Sequence, residues 1–144
     1  MTLEQYLIRK FGNRKSSLDC IVYMLKASFF ATTFRKFWQQ WNPMWSYFLT
    51  YYLYKPLNKI THQYLAIFLT FTVSGFLHDC VAMILLQKIH FFLTPIFSFF
   101  GILVIIEKTI GLRLARIPRI IRPIYHITLI SLCTVLIYYF QVIR

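Results

Sequence analysis

Three long apolar runs occupy residues 63–86, 89–106 and 124–143 of the 144-residue chain. Because an α-helix rises about 1.5 Å per residue, a run of roughly 20 residues crosses a hydrocarbon layer about 30 Å thick. Each run is therefore predicted to form a membrane-spanning helix. A fourth run, residues 18–34, contains Lys26, whose charge is costly at mid-membrane. It is interpreted as a dipping or surface-lying segment, or as a fourth crossing.

The aromatic stretch that follows predicts short helical pieces at the membrane surface. A helix over residues 34–41 gathers four aromatic side chains on one face: Phe34, Phe37, Trp38 and Trp41. Because Pro43 disfavours helical backbone at the residue before it, Asn42 is predicted to lie where the chain turns. Residues 46–57 are apolar and aromatic but too short for a full crossing, which indicates an interfacial or re-entrant piece.

The pattern as a whole predicts an all-α integral membrane protein with three to four transmembrane helices and an interfacial or re-entrant aromatic segment. It divides the chain into five parts: a basic N-terminal head (1–17), an amphipathic or re-entrant membrane segment (18–62), a two-helix core (63–107), a basic linker (108–123) and a final transmembrane helix (124–144).

Composition and charge favour a membrane protein over a soluble or nucleic-acid-binding one. With 58% hydrophobic and only 14% charged residues, the chain is too apolar for a small soluble domain. The net charge of +12 is spread over the connections without a nucleic-acid-binding motif, so membrane lipid, and not nucleic acid, is the expected partner. The linker 108–123 is rich in Lys and Arg, whereas the preceding connection offers only Lys88, which predicts a multi-pass topology with a cytoplasmic linker.

The three cysteines predict no metal site. Cys20, Cys80 and Cys133 are widely separated and lie inside apolar runs without CxxC spacing, so neither a disulfide framework nor zinc binding is indicated. They are interpreted as small buried hydrophobic residues.

The first long run carries a polar stripe. Thr70, Ser74 and His78 recur at every fourth position, and Gly75 allows another helix to approach closely. His78 is a candidate for chemistry because an imidazole exchanges protons near neutral pH, and an ionisable residue inside a membrane is a functional candidate by default. The alternative is that the stripe only hydrogen-bonds across a helix interface.

Two further features admit a structural explanation. Asp79 lies about 100° around the helix from His78, so it is predicted to bind a basic partner or orient a neighbouring helix. Tryptophans such as Trp38, Trp41 and Trp45 are typical of aromatic belts at membrane surfaces, an explanation that does not extend to Asn42.

Two motifs together resemble a known family. The segments FRKFWQQWNPMWSYFLTYYLYKPL (residues 34–57) and FLTFTVSGFLHDC (residues 68–80) resemble the C-terminal signature half of membrane-bound O-acyltransferases, with the wax-synthase-like branch the most similar. The matching residues are Phe37, Trp38, Trp41, Asn42, Tyr54, Pro56, Ser74, Gly75, His78 and Asp79.

The resemblance implies transfer of an acyl group from acyl-CoA, or a similar thioester, to a hydroxyl acceptor such as a fatty alcohol or another lipid. No resident cofactor is implied. His78 would be the catalytic base and Asn42 its polar partner, with structural support from Asp79 and Gly75. The implied substrate-binding side chains are Trp38, Trp41, Arg35, Lys36 and Ser74.

Length leaves an alternative open. Three or four helices are expected to be too few to enclose both substrates, so a second copy of the chain or a partner membrane subunit would complete the cavity. The alternative is a truncated, non-catalytic membrane protein that acts as a scaffold or subunit. A small pore-forming protein would also fit the size and charge, but it leaves the paired Asn42 and His78 motifs unexplained.

Overall fold

The computed structural model describes residues 1–12, 16–89 and 91–142, and these residues form helices and connections without a strand. The helices are α1 (Leu3–Phe11), α2 (Ser17–Phe29), α3 (Phe34–Trp41), α4 (Pro43–Phe48), α5 (Lys55–Ile60), α6 (Gln63–Leu86), α7 (Leu93–Thr109) and α8 (Ile121–Val142). A π-helical segment, Leu49–Tyr54, joins α4 to α5, and a 3₁₀ turn, Leu114–Arg116, precedes α8. The predicted all-α fold is confirmed. Parts of the predicted head, of the second apolar run and of the chain end (residues 13–15, 90 and 143–144) lie outside the described residues.

Two of the described helices, α6 and α8, are long and apolar enough to cross a membrane. The 17 residues of α7 and the 13 of α2 give lengths of only about 25 and 20 Å, below the hydrocarbon thickness of about 30 Å. In the part of the chain that is described, two helices thus have the length and hydropathy of a full span, and α7 is at the lower limit of about 17 residues for a crossing. Within the apolar run predicted from residue 89, helix α7 begins at Leu93.

Helices α6 and α7 form a tightly packed antiparallel pair. Lys108 hydrogen-bonds Gln63 at one end of the pair, and Thr72 Oγ1 lies 2.9 Å from Ser98 Oγ near its middle. Gly75 lies at a close approach of the two backbones, because a Cβ added there would be 2.8 Å from backbone atoms of α7. This pair is the frame on which the shorter helices pack.

Replacement of Gly75 by alanine is expected to lower the free energy of unfolding by about 1–3 kcal/mol, the usual cost of overpacking. The added methyl group would lie 2.8 Å from Leu93 O and Thr94 Cα, and backbone atoms cannot rotate away as a side chain can. Thermal unfolding in detergent measures the change. Gly101→Ala is the control, because its methyl group would meet Phe71 Cβ at a less severe 3.1 Å. Equal melting temperatures for the two variants would contradict the close approach at Gly75.

Helix α3 has the bounds that the pattern predicted, Phe34–Trp41. Its Phe34 and Phe37 are 0% and 1% exposed and pack in an aromatic core with Phe100 of α7 and His126 of α8. Thr33 caps the helix by accepting the Lys36 backbone N–H at 3.1 Å. The aromatic face thus holds α3 against both α7 and α8.

The predicted interfacial piece, residues 46–57, is part of continuous helical backbone from Pro43 to Ile60 that includes the π-helical segment Leu49–Tyr54. A π-helical segment widens a helix locally and is frequent at functional sites. Leu49, Thr50 and Tyr54 of this segment line a cavity described below.

The basic linker is held by Arg122 at the start of α8. Its guanidinium donates to Leu114 O at 3.1 Å and to Phe30 O at 3.3 Å, so it joins the 3₁₀ turn to the end of α2. The backbone N–H of Leu114 also donates to Thr32 O at 3.0 Å. The linker is therefore attached to the connection that leads into α3.

Candidate functional site

A cavity of about 190 Å³ lies among α3, α4, the π-helical segment, α6 and α7. His78 of α6 and Asn42, which connects α3 to α4, both line it. The remaining walls are mostly apolar or aromatic and include Ile67, Phe71 and Phe97. We call this space the histidine cavity. It brings together the two residues on which the sequence-based prediction of catalysis depends.

The hydrogen bond of His78 defines its tautomer. His78 Nδ1 lies 2.6 Å from the backbone oxygen of Ser74, which can only accept, so Nδ1 carries the proton of the neutral ring. Nε2 then holds the lone pair and is the basic nitrogen. The ring stacks on Phe97, with centroids 5.0 Å apart, and meets Trp45 edge to face at 5.5 Å. These contacts fix the plane of the imidazole.

Trp45 connects the two sides of the histidine cavity. Its indole Nε1 donates to Ser74 Oγ at 3.0 Å, and its backbone N–H donates to Asn42 Oδ1 at 3.1 Å. Trp45 was predicted only as a membrane-belt residue, so this role was missed. The sequence does indicate the hydrogen bond to Asn42, because an N-cap side chain binds the N–H of the third residue after it, and that residue is Trp45.

Asn42 ends α3 and caps α4. Its backbone is extended, with φ −142° and ψ 92°, which confirms the turn predicted from Pro43. Because its Oδ1 accepts the Trp45 N–H, the amide NH₂ is the part of the side chain that remains to donate. The cap therefore fixes the orientation of the carboxamide beside the cavity.

Four of the five residues proposed to bind substrate line the histidine cavity: Arg35, Trp38, Trp41 and Ser74. Lys36 does not line it, and its role in substrate binding stays a prediction. Its side chain is exposed and donates to Thr32 Oγ1 at 3.2 Å, because a step of one residue along α3 rotates a side chain by about 100°. Arg35 is close to Tyr54, with its guanidinium carbon 5.9 Å from the ring centroid.

Asp79 is 1% exposed and caps the start of α7. It accepts the backbone N–H groups of Phe92, Leu93 and Thr94 at 3.2, 2.8 and 2.7 Å, and the Thr94 hydroxyl at 2.5 Å. The carboxylate therefore lies at the positive end of the α7 dipole and orients this neighbouring helix. Its hydrogen-bond donors are backbone N–H groups and a hydroxyl, and not the basic side chain that was the other predicted partner.

Glu107 is a second buried carboxylate that caps a helix. Its role was not predicted, because the sequence pattern placed it at a domain boundary. It is 5% exposed and accepts the Phe34 N–H at 2.8 Å and the Arg35 N–H at 3.4 Å, so it caps α3. The Tyr125 hydroxyl lies 3.5 Å from it. An acid in the last turn of an apolar helix was the available signal, since such a group needs donors.

His126 of α8 was also missed. It is 0% exposed, and its Nε2 lies 3.1 Å from the backbone oxygen of Ala31. Its ring packs on Phe34 and Phe37, and His126 is not among the described residues that line the histidine cavity. It therefore belongs to the aromatic core, and a histidine in an apolar run does not by itself distinguish this role from chemistry.

Comparison with known proteins gives one match. The sequence model of the MBOAT family, membrane-bound O-acyltransferases, matches residues 20–141 and so extends well beyond the two motifs on both sides. No curated protein and no solved structure matches the chain. Since the match covers most of the sequence and includes both walls of the histidine cavity, the chain belongs to the membrane-bound O-acyltransferase family.

Proposed function

We propose that the chain transfers an acyl group from acyl-CoA, or a similar thioester, to the hydroxyl group of a lipid such as a fatty alcohol. One observation carries this proposal: His78 and Asn42, distant in the sequence, line a single cavity and are connected through Trp45. A basic nitrogen and an amide donor on one small space are the groups that acyl transfer to an alcohol requires.

His78 acts as general base in this proposal. Nε2 takes the proton of the acceptor hydroxyl while its oxygen attacks the thioester carbonyl carbon. As the tetrahedral intermediate collapses, the new C–O bond is retained, the C–S bond breaks and the imidazolium returns its proton to the leaving thiolate. The products are an ester and a free thiol, and no covalent enzyme intermediate is needed. Such proton transfer contributes about 10²–10⁴-fold to a rate.

Asn42 stabilises the negative charge that develops on the acyl donor in this proposal. The carbonyl oxygen of the thioester gains negative charge during attack, and the Asn42 NH₂ is the donor left by the cap of α4. Loss of one such donor typically lowers the rate by about 10²–10³-fold. Trp45 supports both groups, because it binds Asn42 through its backbone and contacts His78 through its ring.

The size of the histidine cavity suits the reacting groups and not whole substrates. Pockets that bury a drug-sized ligand measure roughly 300–1,000 Å³, compared with about 190 Å³ here. The acyl chain and the lipid acceptor would therefore extend from the cavity into the surrounding apolar environment. This arrangement favours a lipid acceptor over a polar one.

The donor would approach from the side of the basic linker. Glu107, at the end of α7 that leads into the linker, binds the backbone of Phe34 and Arg35, so Arg35 lies at that end of the protein. If the linker is cytoplasmic, as its charge predicts, Arg35 lies on the side from which cytoplasmic acyl-CoA enters, where its positive charge attracts the anionic donor.

Ester formation from a long-chain acyl-CoA and a fatty alcohol, measured by chromatography with protein in lipid vesicles, tests the proposal. Asn42→Asp keeps an oxygen for the Trp45 N–H but removes the NH₂ and adds negative charge. We expect this variant to form ester about 10²–10³-fold more slowly than wild type and to keep the wild-type free energy of unfolding. Asn42→Ala removes donor and cap together, so its stability should also fall, by about 0.5–2 kcal/mol.

Two results would contradict the proposal. Wild-type protein that forms no ester with fatty alcohol, sterol or sugar acceptors would favour the non-catalytic scaffold. Wild-type activity in Asn42→Asp would remove the carboxamide donor from the mechanism.

A further inference from the structure

A second cavity, of about 380 Å³, lies on the other side of α3 and α4, where α1 packs. Its walls include the cations Arg9 and Lys10 and the tyrosines Tyr6 and Tyr51. We call this space the basic cavity. Neither the mechanism above nor the two sequence motifs use the residues that α1 contributes to it.

The two cavities are neighbours. Gln39 of α3, Ser46 of α4 and Thr50 of the π-helical segment line both of them. Because these three residues line both cavities, the space around His78 adjoins the space beside α1. A molecule with a reactive carbonyl at one end and a charged group farther along could reach from one to the other across these residues.

The positive charge of the basic cavity is not balanced by the residues that line it. Lys10 Nζ donates to Gln39 O at 3.3 Å and to Gln40 Oε1 at 3.0 Å, and both of these acceptors are neutral. Burial lowers the pKa of Lys10, as expected for an ammonium group that is partly removed from water without an anionic partner. The Lys55 ammonium adds positive charge close by, 3.7 Å from the centroid of the Tyr51 ring.

Acidic side chains are absent from the described residues that line the basic cavity. The sequence contains four acidic residues. Asp79 and Glu107 are buried as helix caps, and Glu4 and Asp19 are not among the described residues that line the basic cavity. A tether between α1 and α3 explains the hydrogen bonds of Lys10, but it explains neither Arg9 nor the open space beside it. The site is arranged for an anion from outside the chain.

We propose that the basic cavity binds a phosphate group, carried either by the nucleotide end of a CoA donor or by an anionic phospholipid. Arg and Lys side chains with nearby hydroxyl donors are the usual ligands of phosphate oxygens. The CoA form of the inference rests on the proposed function, because one donor would then lie across Gln39, Ser46 and Thr50 with its thioester beside His78 and its phosphates beside Lys10. The phospholipid form does not depend on catalysis.

The test is the binding of two probes, CoA and dioctanoyl phosphatidate, titrated calorimetrically into protein in maltoside micelles, which contain no phosphate. Arg9→Gln and Lys10→Gln are each expected to weaken binding of at least one probe by about tenfold. Arg9 is exposed, so its variant tests the site even if Lys10→Gln disturbs the packing of α1. Lys88→Gln, an exposed cation beyond the end of α6, is the control for loss of one charge and should bind both probes as wild type does.

The pattern of losses identifies the ligand. Weaker binding of CoA alone assigns the site to the acyl donor, and weaker binding of phosphatidate alone assigns it to lipid. Equal affinity of wild type and both variants for both probes, or no binding of either probe, would overturn the inference. The titration is repeated in His78→Ala, where phosphate binding should persist. Variant-dependent binding without ester formation would thus contradict the proposed function alone, and ester formation without variant-dependent binding would contradict this inference alone.

Discussion

Replacement of His78 by glutamine is expected to reduce ester formation by about 10²–10⁴-fold, the contribution of a positioned general base. Glutamine offers an amide of similar length that can still donate to the Ser74 backbone oxygen, but it has no basic nitrogen. Because the base acts on the transition state, kcat should fall while KM for the acyl donor changes little. The measurement is initial-rate kinetics with a long-chain acyl-CoA and a fatty alcohol.

The matched control is His62→Gln. His62 is an exposed histidine that caps the same helix, with Nδ1 accepting the Tyr64 N–H at 3.3 Å, and it does not line the histidine cavity. It should retain wild-type kcat. If His78→Gln and His62→Gln turned over equally fast, His78 would be a hydrogen-bonding residue of the helix interface, the alternative that the sequence left open.

Local rules of helix geometry account for the parts of the structure that could be predicted. Proline at position 43 ended α3 and left Asn42 at the turn, because the effect depends only on adjacent residues. The four-residue spacing of Ser74 and His78 placed both on one side of α6, and the absence of a Cβ at Gly75 allowed α7 to approach. Each of these inferences requires knowledge of a single helix.

Contacts between distant segments account for what the sequence did not reveal. Glu107 finds its donors at Phe34 and Arg35, far away in the chain, so its role as a cap appears only when α7 is placed beside α3. Trp45 likewise acquires its bond to Ser74 through the packing of α4 on α6. Composition reports that a segment is apolar, but not which partner its polar atoms will meet.

The length of α7 shows the same limit. Hydropathy indicated an apolar run from residue 89, yet the helix begins at Leu93, where the Asp79 carboxylate accepts the first free N–H groups. A helix start is determined by the group that satisfies these donors as much as by the apolar residues that follow. Hydropathy alone therefore located the apolar run but not the residue at which its helix begins.

Replacement of Asp79 by alanine is expected to cause the largest loss of stability among single substitutions considered for this chain. It leaves the N–H groups of Leu93 and Thr94 without their acceptor, and each unsatisfied buried group costs about 1–3 kcal/mol. Water cannot replace the carboxylate cheaply in an apolar environment. Unfolding in detergent, followed by circular dichroism, should show a decrease of several kcal/mol.

Asp79→Asn and Asp19→Ala separate capping from charge. Asparagine retains one oxygen acceptor, so its loss of stability should be intermediate, whereas Asp19 is exposed on α2 and its alanine variant should unfold as wild type does. Equal stability of Asp79→Ala and Asp19→Ala would contradict the capping role. The cap also holds the first turns of α7, which carry the Phe97 ring that stacks on His78. Folded Asp79→Asn should therefore lose part of its kcat as well, because the imidazole loses a wall that fixes its plane.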